Sequence, residues 1–342
     1  IHYLHIDDTL NENWIKLKEY AVKTFEYVNK HFGEYPYKQY SIIQGGDGGM
    51  EYPMCTLITA GGSFKGLVSV TVHESIHSWF QGLLATNESK HEWMDEGFCT
   101  YAQYKTMDYL FNTNYVNPFS RQYGSYYRLA NSDYQEPLTT HADFYKKNYV
   151  YGVNAYSKGA VFLSQLGYII GDSALMKGMK RYYYNWRFKH PTPQDFKREM
   201  EKVSGLELDW YFEQFVNTTN RIDYAIKSVE KLDASTSITL SRLEDIPMPI
   251  DMLVKFKDGS FAWYTIPLRI MRGSKSNDVF SSSITILPDW PWVYPDYTFT
   301  IDVKLSKIEE IIIDPSGRLA DVNQLDNKYP FSKRKRIQFK GN

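Results

Sequence analysis

The sequence predicts an α+β protein in which a mostly helical domain is followed by a small all-β sandwich domain. Two periodicities lead to this prediction. Apolar residues recur at the helical period through much of residues 1–220, and they alternate with polar residues in short runs within residues 221–342. A chain of 342 residues also exceeds a typical single domain, so two domains with separate cores are expected.

The predicted first domain begins with a helix and a small strand region. Residues 11–33 form an amphipathic helical pattern, and QYSIIQ at residues 39–44 is typical of a strand. The glycine-rich GGDGGMEYPMCTLIT at residues 45–59 predicts a close backbone approach followed by an extended segment. Further helices are expected over residues 67–84, 93–111, 157–171 and 192–205.

The predicted second domain contains short strands separated by Gly, Pro, Asp and Asn turns. The runs that predict strands are TSITLSRL, DMLVKFKDG, FAWYTIPLRI, TFTIDVKLS and EEIIIDPSG. Runs of this length and spacing predict a small β-sandwich, with the domain boundary near residue 220.

The composition is that of a globular protein whose partner is a small or neutral substrate. Hydrophobic residues make up 43% and charged residues 23%, and the net charge of -1 argues against nucleic acid or a membrane surface. No apolar run approaches the roughly 20 residues that span a bilayer. The basic residues 333–336 are interpreted as a solvated chain end. Cys55 and Cys99 are too few for a disulfide framework, and their pairing is left open.

The start of the chain bears on its completeness. The sequence opens at Ile1 with neither an initiator Met nor a signal-peptide pattern, which predicts a trimmed start. Any export signal would precede this point, so the cellular location is left open.

One predicted helix contains a metal-binding motif. In TVHESIHSWF, residues His73, Glu74 and His77 form HExxH. Residues four apart lie on the same helical face, so the two histidines can reach one ion while Glu74 points to one side. The motif alone also fits two core histidines with a surface glutamate.

A third ligand is required for a catalytic zinc site, because three protein ligands leave the fourth position to water. Glu96 follows His77 after eighteen intervening residues, which is enough chain to end one helix and start another. We therefore predict His73, His77 and Glu96 as ligands of one zinc ion. The neighbouring alternatives for the third ligand are His91, Glu92 and Asp95.

The chemistry of such a site predicts a role for Glu74. Bound zinc lowers the pKa of water toward about 7, and a carboxylate beside it can take the proton as the water attacks a carbonyl. The same carboxylate can later return the proton to a leaving amine. Glu74 is therefore predicted to be the general base and not a ligand.

The motifs HESIHSWF, WMDEGF with Glu96, and the preceding GGMEYP resemble those of the aminopeptidase N family of gluzincin zinc peptidases. That family also includes the bifunctional leukotriene epoxide hydrolase. The resemblance extends over residues 1 to about 220 and implies a thermolysin-like catalytic domain at 1–220. It also implies that residues 221–342 are the small β-sandwich domain of the family.

The resemblance implies further site residues. Glu51 matches the glutamate of the GAMEN motif, which binds the free α-amino group of the substrate, and the strand at Gly48 and Gly49 is implied to pair with the peptide. Tyr156 in NAYSKG matches the tyrosine that donates a hydrogen bond to the oxyanion. Tyr151 is interpreted as a packing residue.

Some features depart from the family pattern. Tyr52 replaces the usual Asn, which alters the first substrate pocket, and WFQG replaces WFGN at residues 79–82. The family also has an amino-terminal β-domain that contributes a second amine-binding residue, so this chain is interpreted as a fragment whose partner is that domain.

These features predict a zinc aminopeptidase that acts on peptides with free amino termini. Two alternatives are a catalytically silent peptide-binding scaffold and an epoxide hydrolase of the leukotriene type. An intact Glu74 argues against the scaffold, because a binding protein needs no general base.

Overall fold

A small mixed sheet forms the start of the chain in the computed structural model, which describes residues 1–5, 11–46, 48–59, 62–275 and 284–331. Its strands are β1 (His2–Leu4), β2 (Ser41–Gly45), β3 (Gly49–Tyr52) and β4 (Cys55–Thr59), in the order β1-β2-β4-β3. β1, β2 and β4 run parallel, and β3 pairs antiparallel with β4. The glycine-rich segment therefore forms a hairpin at the edge of this sheet.

The helices of the first half follow the predicted pattern and add three that were not predicted, α4, α5 and α7. They are α1 (Asn11–His31), α2 (Phe64–Phe80), α3 (Glu92–Phe111), α4 (Ser120–Ala130), α5 (Asn148–Gly152), α6 (Gly159–Ile170), α7 (Asp172–Trp186) and α8 (Pro193–Ser204). Contacts divide the chain into two compact units, Ile1–Gly167 with Asp172–Val203, and Tyr168–Gly171 with Ser204–Asn342. The predicted division into domains at residue 220 stays a prediction.

Helix α2 lies at the centre of the first unit. Ser63 caps its start, where the side-chain oxygen accepts a hydrogen bond from Gly66 N. Apolar side chains bury most of its surface, and near its end Trp79 Nε1 donates to the carbonyl of Gly33 at 2.7 Å. A helix buried on nearly all sides holds its own polar residues in an environment of low polarity.

Helix α3 and the segment before α6 approach each other at two glycines. A Cβ atom built on Gly97 would lie 2.6 Å from Gly159 Cα and 2.9 Å from Ala155 O, and one on Gly159 would lie 2.8 Å from Gly97 Cα. No side chain fits at those distances. Residues Val153–Lys158 form a wide π-type turn at this crossing. The crossing therefore places the turn directly over the amino-terminal part of α3.

The second unit is built mainly from strands, after a short helix α9 (Asp209–Tyr211). The strands are β5 (Tyr224–Lys231), β6 (Thr236–Arg242), β7 (Ile250–Phe256), β8 (Phe261–Ile266), β9 (Ile284–Ile286), β10 (Asp296–Ile301), β11 (Ile308–Ile313) and β12 (Lys328–Tyr329). They form a three-stranded sheet, β10-β6-β5, and a five-stranded sheet, β12-β11-β7-β8-β9. Tyr264 on β8 and Phe299 on β10 bring the two sheets into contact, with ring centroids 6.2 Å apart. Strand β5 was missed by the sequence analysis.

The structure bears on two further expectations, one for the basic chain end and one for membrane-spanning helices. The basic residues 333–336 lie outside the residues that the structure describes. Within the described residues, every helix is too short or too polar to cross a bilayer.

Candidate metal centre and active site

Three predicted ligand residues meet between α2 and α3. His73 and His77 lie one helical turn apart on α2, and Glu96 lies in the second turn of α3. His73 Nε2 is 3.0 Å from Glu96 Oε2, His77 Nε2 is 3.3 Å from the same oxygen, and the two nitrogens are 3.2 Å apart. The three atoms therefore form a small, nearly equilateral triangle.

The triangle has the dimensions of a zinc site. Ligands held at 2.0–2.1 Å in a tetrahedron lie about 3.3 Å from one another. The observed edges of 3.0–3.3 Å match that spacing. Two imidazole nitrogens and one carboxylate oxygen are also a donor set that zinc prefers. The residues present therefore fit zinc.

The charge of Glu96 suits a metal ligand. Burial raises the pKa of Glu96, but hydrogen bonds with His73 and His77 outweigh burial and hold that pKa well below its ordinary value. Glu96 is therefore an anion across the ordinary pH range, as a metal ligand must be.

Asp95 fixes the orientation of His77. The Nδ1–H of His77 donates to Asp95 Oδ1 at 2.6 Å, so Nε2 is the ring nitrogen that faces Glu96. Asp95 was an alternative third ligand on sequence spacing, but the structure places it on the opposite side of the His77 imidazole. Burial raises the pKa of the neighbouring Cys99 thiol to about 12, so this cysteine is neutral.

The other two alternatives for the third ligand lie elsewhere. Glu92 accepts a hydrogen bond from Tyr145 OH at 2.7 Å, and His91 stands at the start of α3. Neither belongs to the clusters of possible ligand atoms among the residues that the structure describes.

Glu74 is buried beside the ligand cluster and is not a surface residue. The residue is 7% exposed, and a Cβ atom on Gly49 would lie 2.4 Å from Glu74 Oε1. Burial raises the pKa of Glu74 to about 7, opposed by His73 and His77. A carboxyl group with that pKa exchanges protons near neutral pH, which suits a general base. Gly49 is required because Glu74 lies against its backbone.

Tyr156 lies in the π-type turn and faces the ligand cluster. Its hydroxyl donates to Glu96 Oε1 at 2.6 Å, and its ring stacks on His73 at 5.8 Å. Burial and the charge of Glu96 raise the pKa of Tyr156 above its ordinary value, so the hydroxyl keeps its proton. Tyr151 instead packs edge-on against Tyr145, with centroids 5.5 Å apart.

Glu51 lies on the edge strand β3 and faces the same region. One of its carboxylate oxygens lies within 4.8 Å of ligand atoms of both Glu74 and His77. Glu51 and Tyr52 also line a cavity of about 330 Å³ that reaches His77. Gly48 has a positive φ of 88° and donates its N–H to Thr59 Oγ1, which closes the hairpin beside the cavity.

Glu88 is a second acidic residue of this cavity that the sequence analysis missed. It lies in the turn between α2 and α3 and belongs to no sequence motif. Its position depends on how the two helices pack, so no local signal could identify it.

The comparisons with known proteins identify the family of the chain. The model of the peptidase family M1 domain matches residues 17–215. The chain therefore belongs to peptidase family M1. This membership confirms the family predicted from HESIHSWF and Glu96, and with it the predictions of a metallopeptidase and of a zinc cofactor.

Individual relatives show how much of a longer protein is matched. Human aminopeptidase B is 30% identical over an alignment of 214 residues, and the match covers 53% of this chain and 32% of that protein. Mouse aminopeptidase B is 29% identical over 213 residues, with the same coverage of 53% and 32%. The matched region thus spans about a third of the length of these relatives.

A solved structure confirms the fold class. The crystal structure of Legionella pneumophila aminopeptidase A in complex with aspartic acid superposes with a TM-score of 0.66. The match covers 89% of this chain and 34% of that chain, at 14% sequence identity. The α+β, thermolysin-like fold with a following β-rich part is therefore as predicted.

Proposed function

We propose that this chain is the catalytic part of a zinc aminopeptidase that removes residues from the free amino termini of peptides. One observation supports this proposal above the others. The Glu51 carboxylate lies within 4.8 Å of both Glu74 and His77. An anion so close to the predicted water-activating group can bind the substrate ammonium one residue from the scissile bond.

In the proposed site His73, His77 and Glu96 would hold the zinc ion. When bound, zinc supplies Lewis acidity, which acidifies water and polarises a carbonyl oxygen. Asp95 would hold the imidazole of His77 in the orientation that directs Nε2 to the ion. The remaining steps depend on side chains of the chain itself.

Glu74 accepts a proton from the attacking water and returns it to the amine that leaves. Its pKa of about 7 suits both directions of transfer. The Tyr156 hydroxyl, which keeps its proton, donates to the oxygen that gains negative charge in the transition state. Glu51 holds the α-ammonium group throughout, so it determines where the chain is cut.

The relatives are about three times longer than the matched region, so a further domain is expected to cooperate with this chain. We propose, as the sequence resemblance implies, that an amino-terminal domain of the same protein completes the binding of the peptide amino terminus. This part of the proposal is tested by comparing the present chain with a longer form of the protein.

The proposal is tested with two aminoacyl 4-nitroanilides that differ only in an acetyl group on the α-amine. We expect zinc-loaded protein to hydrolyse the free-amine reporter and to leave the acetylated one intact. Treatment with a chelator should stop hydrolysis, and added zinc should restore it. Equal hydrolysis of both reporters would contradict an aminopeptidase. A chain that binds zinc and peptide without turnover would favour the scaffold hypothesis.

A further inference from the structure

The cavity beside Glu51 contains a second carboxylate, that of Glu88. Glu51 approaches from β3, and Glu88 from the turn that follows α2. The other walls are formed by aromatic, apolar and neutral polar side chains, together with His77. No Lys or Arg belongs to this lining within the described part of the chain. The cavity is therefore suited to a cation.

The spacing of the acidic groups suits one small cation. Carboxylate oxygens of Glu51, Glu88 and Asp95 all lie within 4.8 Å of one another. An ammonium nitrogen about 2.8 Å from each of two oxygens separates them by about 4.6 Å at the tetrahedral angle. Asp95 is already bonded to His77, and it is absent from the cavity lining. Glu51 and Glu88 are therefore the pair that can share an ammonium group.

Glu88 is held in position by a neighbouring side chain. Gln81, at the end of α2, donates from Nε2 to Glu88 Oε2 at 3.4 Å. Glu88 is otherwise exposed, so its charge is hydrated until a ligand enters. A ligand that displaces the water around Glu88 and donates a charge-assisted hydrogen bond to its carboxylate gains affinity from that bond.

We propose that Glu88 binds the α-ammonium group of the peptide substrate together with Glu51. This inference rests on the proposed aminopeptidase function and adds a substrate-binding residue to it. Two carboxylates on one ammonium bind a charged amine more strongly than one does, and they exclude an acylated amine, which has no charge. Glu88 thus contributes to the selection of free amino termini from within this chain.

The test compares the variants Glu88→Gln, Glu51→Gln and Glu26→Gln. Glu26 is an exposed residue of α1, so its variant is a matched control for the loss of one negative charge. Each zinc-loaded protein is assayed with alanyl 4-nitroanilide and its N-acetyl form. We expect Glu88→Gln to lower kcat/KM for the free amine roughly 10-fold or more, mainly through KM. Glu26→Gln should match the parent.

A binding measurement makes the test independent of turnover. Calorimetric titration with L-alanine amide should give a Kd roughly 10-fold weaker for Glu88→Gln than for Glu26→Gln. If Glu88→Gln equals the control in both assays while Glu51→Gln is impaired, the role of Glu88 is refuted and the aminopeptidase proposal stands. If the parent protein treats free and acetylated reporters alike, the proposed function itself fails.

Discussion

Two buried carboxyl groups, one in each unit, have similar pKa values and different surroundings. Burial raises the pKa of Glu74 to about 7 and that of Asp321 to about 8. Asp321 accepts hydrogen bonds from Tyr224 N, Asn323 N and Asn327 Nδ2, at 2.8–3.0 Å. The pKa of Asp321 is affected by one ionisable neighbour, Asp223, whereas that of Glu74 is affected by four: His73, His77, Glu51 and Glu96.

The comparison separates a structural acid from a reactive one. Two main-chain N–H groups and the side-chain amide of Asn327 hold the oxygens of Asp321 in one position, so this acid joins neighbouring segments of chain. The oxygens of Glu74 lie next to a candidate metal site and a second acid, where a proton can be exchanged. A raised pKa therefore does not identify a functional residue, whereas the groups around it do.

Removal of a metal ligand should have the largest effect on the first unit. In Glu96→Ala we expect zinc content to fall from about one ion per chain to almost none, because two histidines remain from a three-ligand site. Elemental analysis of protein purified without chelator measures this, with Glu26→Gln as the control. Equal zinc in Glu96→Ala and the parent would refute Glu96 as a ligand.

Glu74→Gln tests the reactive acid directly. The amide keeps the size of the side chain and cannot accept the proton, so kcat should fall roughly 10²- to 10⁴-fold with zinc content unchanged. The matched variant Asp321→Asn makes the same chemical change in the second unit and should leave kcat within about two-fold. Comparable losses of kcat in both variants would contradict the distinction between the two acids.

Asp95→Ala should have an intermediate effect, since it removes the acceptor that orients His77. Zinc affinity should weaken about 10- to 100-fold, as is typical when the hydrogen-bond partner of a metal-binding histidine is lost. Competition with a chromogenic chelator measures the change. An unchanged affinity would show that helix α2 alone orients the imidazole.

Asp321→Asn should lower stability without touching catalysis. One oxygen that accepts an N–H is replaced by an amide donor, so the free energy of unfolding at pH 5 should drop by about 1–3 kcal/mol. Denaturant unfolding measures this. Retained stability in the variant would contradict the structural role.

The pH dependence of Asp321 has a defined sign. Its pKa is raised above the ordinary 3.8 to about 8 in the folded protein, so the folded state binds more protons than the unfolded state between these values. Stability of the parent should therefore fall as the pH rises from about 4 to about 8, by at most about 1.4 kcal/mol per pH unit. Asp321→Asn lacks this titration and should show a flatter profile.

Sequence spacing predicted the parts of the site that depend on helical periodicity. His73 and His77 face the same way because they are four residues apart, and Glu96 reaches them after a reversal of the chain. Glu51 and Tyr156 needed the family resemblance, since one lies in a glycine-rich hairpin and the other is one of 29 tyrosines. The structure brings all five residues to one region.

The features that could not be predicted depend on packing between helices and strands. Asp95 precedes Glu96 in sequence, yet its contact with Nδ1 of His77 follows from the rotation of α3 about its axis. Glu88 reaches the cavity through the turn between the two helices, which has no periodic pattern. Strand β5 was not predicted, because the first run assigned to a strand, TSITLSRL, begins after the end of β5.

The contact between Gly97 and Gly159 restricts which residues these two positions can accept. Neither residue has a side chain that could meet a substrate, yet together they set the height of Tyr156 above Glu96. In a saturation-mutagenesis screen for activity, both positions should therefore tolerate almost no replacement, like the proposed metal ligands. Libraries intended to change the preference of the enzyme should keep these two codons constant and vary the cavity wall.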